Sequence, residues 1–388
     1  MVPIDIALGP HSFDADVSAR VLDRSNFDVL FEQLHEAGYT VVGPTLHEDS
    51  IVYDTLSSSA DLPVGMTSEQ QPGHFRVVER DDEALFGYAV GPQSWKKFLF
   101  PPRTTLWHAV SENGNIRFEA REPADTRYAF LGARSCELAA MSIQDRVFTG
   151  GPGEDPTYSN ARNDALTVAV NCGVPGGTCF CVSMGTGPKC ESGYDLVLTE
   201  LIDEDGHRFL VEAGTDTGAS ILEGLPTAEA TTEDVDLSET VMDHASKSMG
   251  RTLDTEGVRG FLADSPEHPR WDEIASRCLA CTNCTLVCPT CFCSTTEDAT
   301  DLHTGDSIRS RRWDSCFTLD FSVLHGSPVR TTTKARYRQW LTHKLSTWYD
   351  QFGVSGCVGC GRCITWCPVG IDITVEVEAM RPRVKEIA

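Results

Sequence analysis

Residues 278 to 289 read CLACTNCTLVCP and residues 357 to 368 read CVGCGRCITWCP. Both are Cys-x2-Cys-x2-Cys-x3-Cys-Pro, the spacing with which thiolates hold a bacterial-type [4Fe–4S] cluster. Three cysteines close together let one turn of backbone wrap three corners of an Fe4S4 cube, and the N–H groups of that turn hydrogen-bond the sulfurs. The fourth cysteine turns away, and in two-cluster proteins of this pattern it ligates the other cluster. One cluster is therefore expected on Cys278, Cys281, Cys284 and Cys367, and a second on Cys357, Cys360, Cys363 and Cys288. Pro289 and Pro368 fix φ and offer no donor to continue a helix, which suits the turn. Zinc competes for repeated Cys-x2-Cys, but a four-thiolate zinc site uses two cysteine pairs and leaves two runs of four unexplained.

Eight further cysteines need an account. Cys136 lies just after the apolar run YAFLGA, and Cys172 follows ALTVAVN and enters a Gly-rich turn that supplies Cys179 and Cys181. Two strand ends and one turn could converge on a metal, so Cys136, Cys172, Cys179 and Cys181 are candidates for a third iron–sulfur cluster. The competing reading is buried cysteines that pack as small apolar groups. Cys291 and Cys293 sit too close to Cys288 to be independent ligands, and Cys316 reads as shielding or structural.

These cysteines must be positioned by elements legible in the rest of the chain. FDVLFEQLHEAG has helical spacing closed by Gly38, followed by strands at YTVVGP and SIVYDTL. Further strands are expected at FRVVER, ALFGYAV, YAFLGA, ALTVAVNC, YDLVLTEL and HRFLVEAG, with Asp205-Gly206 as a hairpin turn between the last two. The fold expected is a mixed α/β (α+β) domain over residues 1–250, followed by an α-helical, ferredoxin-like two-cluster domain over 265–388. In the second domain, helices are expected in WDEIASRCLACTNC and TTKARYRQWLTHKLSTWYDQFG. The 69 residues from Cys288 to Cys357 are far more than a compact ferredoxin uses. They carry a basic island, Lys334, Arg336, Arg338, His343 and Lys344, read as a solvated helix face with a docking surface as the alternative.

Composition narrows the function. With 57 acidic against 32 basic residues and a formal charge of −25, nucleic acid is not an expected partner. Residues 191 to 243 hold fifteen acids against the single base Arg208. Sixteen cysteines, without an apolar run of membrane-spanning length or a signal-like start, point to metal ligation in a cytoplasmic protein. Neither G-x-G-x-x-G nor G-x-x-x-x-G-K-[ST] occurs; GTGPK at 185–189 resembles neither, so no nucleotide site is expected. No nucleophile-and-base set stands out either. Clusters without a substrate site describe a wire, whose electrons enter and leave through other subunits.

Several stretches together carry a family resemblance: PTCFC after the first motif, GCVGCGRCITWCPVGID around the second, EQQPGHFRVVERDDEALFGYAVGPQSWKKFLFP, LGARSCELAA, NCGVPGGTCFCVSMGTGP and RRWDSCF. The chain resembles the beta, iron–sulfur subunit of cytoplasmic heterotetrameric [NiFe] hydrogenases, or sulfhydrogenases, and more distantly an iron–sulfur subunit of anaerobic sulfite reductase. The resemblance implies a relay between the hydrogenase small and large subunits, which carry nickel and iron, and a flavin-containing, NAD(P)-reacting gamma subunit. It also implies cluster-ligand roles for the eight motif cysteines. A departure is Arg134-Ser135-Cys136-Glu137, where an Arg-Pro-Cys-Asp type of sequence is expected. The alternatives are an electron-transfer subunit of a sulfite or polysulfide reductase and, from another class, an iron–sulfur redox-sensing binding protein.

Overall fold

The computed structural model describes residues 19–382 apart from 90, 113–114, 121–125 and 152. Its strands of three or more residues are β1 (Arg20–Asp23), β2 (Thr40–His47), β3 (Ser50–Thr55), β4 (Met66–Gln71), β5 (His74–Glu79), β6 (Arg103–Glu112), β7 (Asn115–Ala120), β8 (Tyr128–Ala133), β9 (Leu166–Val170), β10 (Leu196–Asp203), β11 (Gly206–Ala213), β12 (Thr227–Glu229), β13 (Ser294–Thr300) and β14 (Ser307–Trp313). Eight of them form one sheet in the order β12-β1-β11-β10-β9-β8-β2-β3. At its centre β10, β9, β8 and β2 run parallel, and the flanking pairs are antiparallel. Parallel strands are covered on both faces and so read as continuous apolar runs; β9 is buried at every position from Leu166 to Val170. Asp205-Gly206 turns the β10–β11 hairpin, with Asp203 paired to Gly206 and Gly206 at φ 128°.

The helix Asp28–Glu36 buries Leu30, Phe31 and Leu34 and is closed by Gly38 at φ 82°. Together with Leu22, Phe27, Val168, Leu198 and Phe209 these residues form the largest apolar core. ALFGYAV is buried but, over its described residues, is not a strand. The amides of Leu85 and Phe86 donate to the Glu200 carboxylate, at 2.6 and 2.9 Å, in place of a ladder.

After the helix Thr232–Lys247 the chain becomes mainly helical, around a second core that includes Trp271, Tyr337, Trp340, Leu341, Ile364 and Val377. The helix expected through WDEIASRCLACTNC spans Arg270–Arg277 and stops at Cys278, where the backbone turns extended. The stretch from 333 to 352 is continuous helix, with an i→i+5 segment at His343–Thr347 and Gly353 at φ 74° closing it. Not all of this half is helical. Strands β13 and β14, between the two cysteine motifs, pair with β6 and β7 in a four-stranded antiparallel sheet ordered β13-β14-β6-β7. Their alternation of Thr, Ser and charged residues gives strands with little buried surface, a pattern that apolar periodicity does not detect. Among the described residues no helix is long and apolar enough to cross a membrane.

Candidate metal centres

The two cysteine motifs fold into the same turn. The second residue after the first cysteine, Ala280 or Gly359, has φ 51° or 66°, and the fourth, Thr282 or Gly361, has φ 71° or 72°. A left-handed residue at each of these places turns backbone N–H groups inward. Ala280 N donates to Cys278 Sγ at 3.4 Å and Gly359 N to Cys357 Sγ at 3.5 Å. A short helix follows each turn, Asn283–Leu286 carrying Cys284 and Arg362–Thr365 carrying Cys363. The chain leaves the helix before the fourth cysteine, whose sulfur in the second motif accepts from Ile371 N at 3.3 Å.

These turns line two neighbouring cavities. One is bordered by Cys278, Cys281, Cys284 and Cys367. The other is bordered by Cys288, Cys357, Cys360 and Cys363. The fourth cysteine of each motif thus lies with the first three of the other, and Cys363 borders both cavities. Zinc requires four donors close around one point, yet among the described residues no three His, Cys, Asp or Glu side chains converge so tightly. Thiols set around a shared space, too far apart for one ion and receiving backbone N–H groups, fit a polynuclear cluster. Burial pushes the thiols of Cys284 and Cys363 well above their usual range, and that of Cys357 up to about 12. Binding iron there would therefore release protons.

Cys288 shifts the other way. Cys291 donates to its sulfur and Lys344 and Thr290 lie beside it, which holds its thiol well below the usual range. Cys316 hydrogen-bonds Cys293 in a second such pair. Cys291 and Cys316 thus stand beside the sulfurs of Cys288 and Cys293, a proximity that spacing alone does not reveal. Two buried lysines frame the group. Lys344 Nζ donates to Thr290 Oγ1 at 2.6 Å and Gly356 O at 3.0 Å. Lys96 Nζ donates to the carbonyls of Cys288 and Cys291 at 2.9 and 3.1 Å and stands 4.0 Å over the Trp313 ring. Neither forms an ion pair with a carboxylate among the described residues, so the cysteine sulfurs are their negative neighbours.

The expected basic island is not one surface. Lys344 is 3% exposed and points inward. Lys334 pairs with Asp272, Arg338 with Glu267, Arg336 with the carbonyls of Arg330 and Thr331, and His343 with Gln351. The i→i+5 segment around Lys344 changes which side of the helix faces inward, so a plain 3.6-residue reading misplaces that side chain.

The second turn is fastened to the α/β sheet. Phe180 N donates to Gly359 O at 2.8 Å, Thr178 Oγ1 and Thr365 Oγ1 are 2.6 Å apart, and Arg362 Nη2 reaches Glu137 Oε1 at 2.6 Å. Glu137 also accepts from Tyr53 Oη and Trp95 Nε1, at 2.7 and 3.0 Å. Cys136, Cys172, Cys179 and Cys181 line a third cavity, which Cys360 also borders. Spacing rules for metal ligands pass over Lys96, Arg134, Glu137 and Arg362. Arg134, Glu137 and Arg362 lie within or beside cysteine-bearing stretches, a signal legible in the sequence, whereas Lys96 carries none.

Fold and site together fit an iron–sulfur protein, and a model of the 4Fe-4S dicluster domain matches residues 277–371. The similarity extends well beyond that domain. Sulfhydrogenase 2 subunit beta of Pyrococcus furiosus is 28% identical over 364 residues, covering 92% of this chain and 96% of the relative. These matches support an iron–sulfur, electron-transporting hydrogenase beta subunit. No solved structure matches the chain.

Proposed function

We propose that this chain relays single electrons through two [4Fe–4S] clusters, one on Cys278, Cys281, Cys284 and Cys367 and one on Cys357, Cys360, Cys363 and Cys288. At one end its partner would be a flavin- and NAD(P)-binding subunit, and at the other the small and large subunits of a [NiFe] hydrogenase. The observation that carries this reading is that the two cysteine-lined cavities share the wall residue Cys363, so clusters held by these residues would be neighbours able to exchange an electron. Cys281 is exposed and Leu279 beside it is 64% exposed, giving the first cluster an edge that a partner can approach, whereas the second is enclosed. We read the chain as an α/β unit over 1–250 followed by a cluster module over 265–388; β14, between the two cysteine motifs, pairs with β6.

The bound clusters supply one-electron chemistry. The chain's own groups hold them, exclude water and set the charge around them. Anoxic affinity purification of the tagged chain from its native cells, with nickel, sirohaem, flavin, iron and sulfide assayed in what co-elutes, tests the proposal. Stoichiometric nickel and flavin with H2-dependent NAD(P)+ reduction is the expected result. Sirohaem without nickel would transfer the chain to a sulfite reductase and retain only the cluster assignment.

A further inference from the structure

The carboxyl ends of adjacent parallel strands are where open α/β sheets place their ligands. Here β8 ends at Ala133 and leads through Arg134 and Ser135 to Cys136, while its neighbour β9 ends at Val170 and leads through Asn171 to Cys172. The following loop folds back and adds Cys179 and Cys181, all four thiols facing one cavity and none in a disulfide. That cavity is close in size to the two formed by the ferredoxin-type motifs.

The charge balance of its wall is incomplete without a ligand. Arg134 is 2% exposed and lines the cavity. Its guanidinium donates to the carbonyls of Asn171, Phe86 and Tyr88, at 3.1, 2.6 and 3.2 Å, but forms no ion pair with a carboxylate among the described residues. The acids around it are otherwise engaged: Glu137 by Arg362, Tyr53 and Trp95, and Glu200, whose charge reaches Arg134, by the amides of Leu85 and Phe86 and by His207. A buried cation is costly unless an opposite charge accompanies it. Four thiols packed as plain apolar groups would leave Arg134 with no anion in direct contact, whereas an anionic cluster on those thiols provides one. A single metal ion does not fit, because no three of the side chains come close enough to share one.

We propose that Cys136, Cys172, Cys179 and Cys181 bind a third [4Fe–4S] cluster, in series with the cluster on Cys357, Cys360, Cys363 and Cys288. Cys360 borders both cavities, as Cys363 borders the first two, so the three lie in file from the exposed Cys281 edge to the ends of β8 and β9. Binding stands on its own geometry; the position in series rests on the two-cluster reading above. On loading, four S–H groups release four protons to solvent as four Fe–S bonds form, and the oxidised cluster with its thiolates is a dianion. In turnover it takes one electron from its reduced neighbour, which is thereby oxidised, and passes that electron to the next carrier.

The test is iron and sulfide per full-length chain, produced and reconstituted anoxically with ferrous iron and sulfide, together with Mössbauer and EPR spectra. Wild type is expected to hold about twelve iron atoms, and Cys179→Ala and Cys172→Ser about eight with the spectra of the other two clusters retained. A wild-type chain saturating at about eight, or variants that still hold about twelve, overturns the third cluster. The wild-type count decides even if the variants do not fold. Cys281→Ser, measured alongside, removes iron from the first cluster only, so failure of the two-cluster reading appears in that variant and failure of the third site in the others.

Discussion

Arg362, inside the second cysteine motif, donates to Glu137, on the helix that begins beside Cys136, at 2.6 Å, and both side chains are 1% exposed. The pair ties the cluster module to the α/β sheet across 225 residues of chain. Arg362 Nε also donates to Gly91 O, at 2.9 Å. Removing one partner of a buried pair leaves the other charge uncompensated, at a cost of about 3–5 kcal/mol. Glu137→Gln and Arg362→Met should each lower the denaturation midpoint of the cluster-loaded chain accordingly, and the double variant by less than the sum. Additive effects, or single effects below about 0.5 kcal/mol, would show that the pair does not couple the two halves.

The repeated turn predicts opposite outcomes at equivalent positions. A methyl group on Gly361 would lie 2.4 Å from Thr178 O and 2.5 Å from Thr178 Oγ1, at a φ of 72° that side chains resist. Gly361→Ala should push the second turn off the Thr178–Cys181 segment and speed iron loss to a chelator. Thr282 holds the same left-handed conformation with a β-branched side chain. Thr282→Gly should therefore relieve strain and stabilise the first turn by about 1 kcal/mol. Equal chelation kinetics for Gly361→Ala and wild type would refute the close-approach argument.

Lys344 sets charge beside the second cluster. It is buried, it bonds Thr290 and Gly356, and its negative neighbours are Cys288, Cys291 and Cys357. A unit charge roughly 6 Å away, at an effective dielectric constant of about 20, is worth about 2.8 kcal/mol, or on the order of 100 mV for one electron. A nearby cation favours the reduced, more negative cluster. Lys344→Met should thus lower one midpoint potential by that order with iron content unchanged, as read by an EPR-monitored titration. An unshifted potential would remove Lys344 from the tuning of the relay.

Cys281 tests the wire itself. Its sulfur stands at the exposed edge of the first cavity. In the assembled complex Cys281→Ser should abolish electron flow between H2 and nicotinamide while H2-dependent reduction of an artificial dye continues. Coupled activity at the wild-type rate would count decisively against a relay through this cluster.

Spacing alone brought out the two four-cysteine runs, their shared turn and the expectation of crossed partners, because a cluster imposes its geometry on a few consecutive residues. The apolar runs of β8, β9 and β10 and the Asp205-Gly206 turn were equally legible, since buried parallel strands and tight hairpins leave local marks. Tertiary structure decided what depends on residues far apart. ALFGYAV is buried without being a strand because Glu200, on β10, takes its amides. Strands β13 and β14 form because β6 offers an edge, not because their own pattern demands it. Lys344 turns inward through the i→i+5 segment, and Glu137 receives Arg362 only once the two halves meet. Local spacing encodes a ligand turn, whereas the charges around a buried centre are matched by long-range packing, which brings together groups that no sequence window contains.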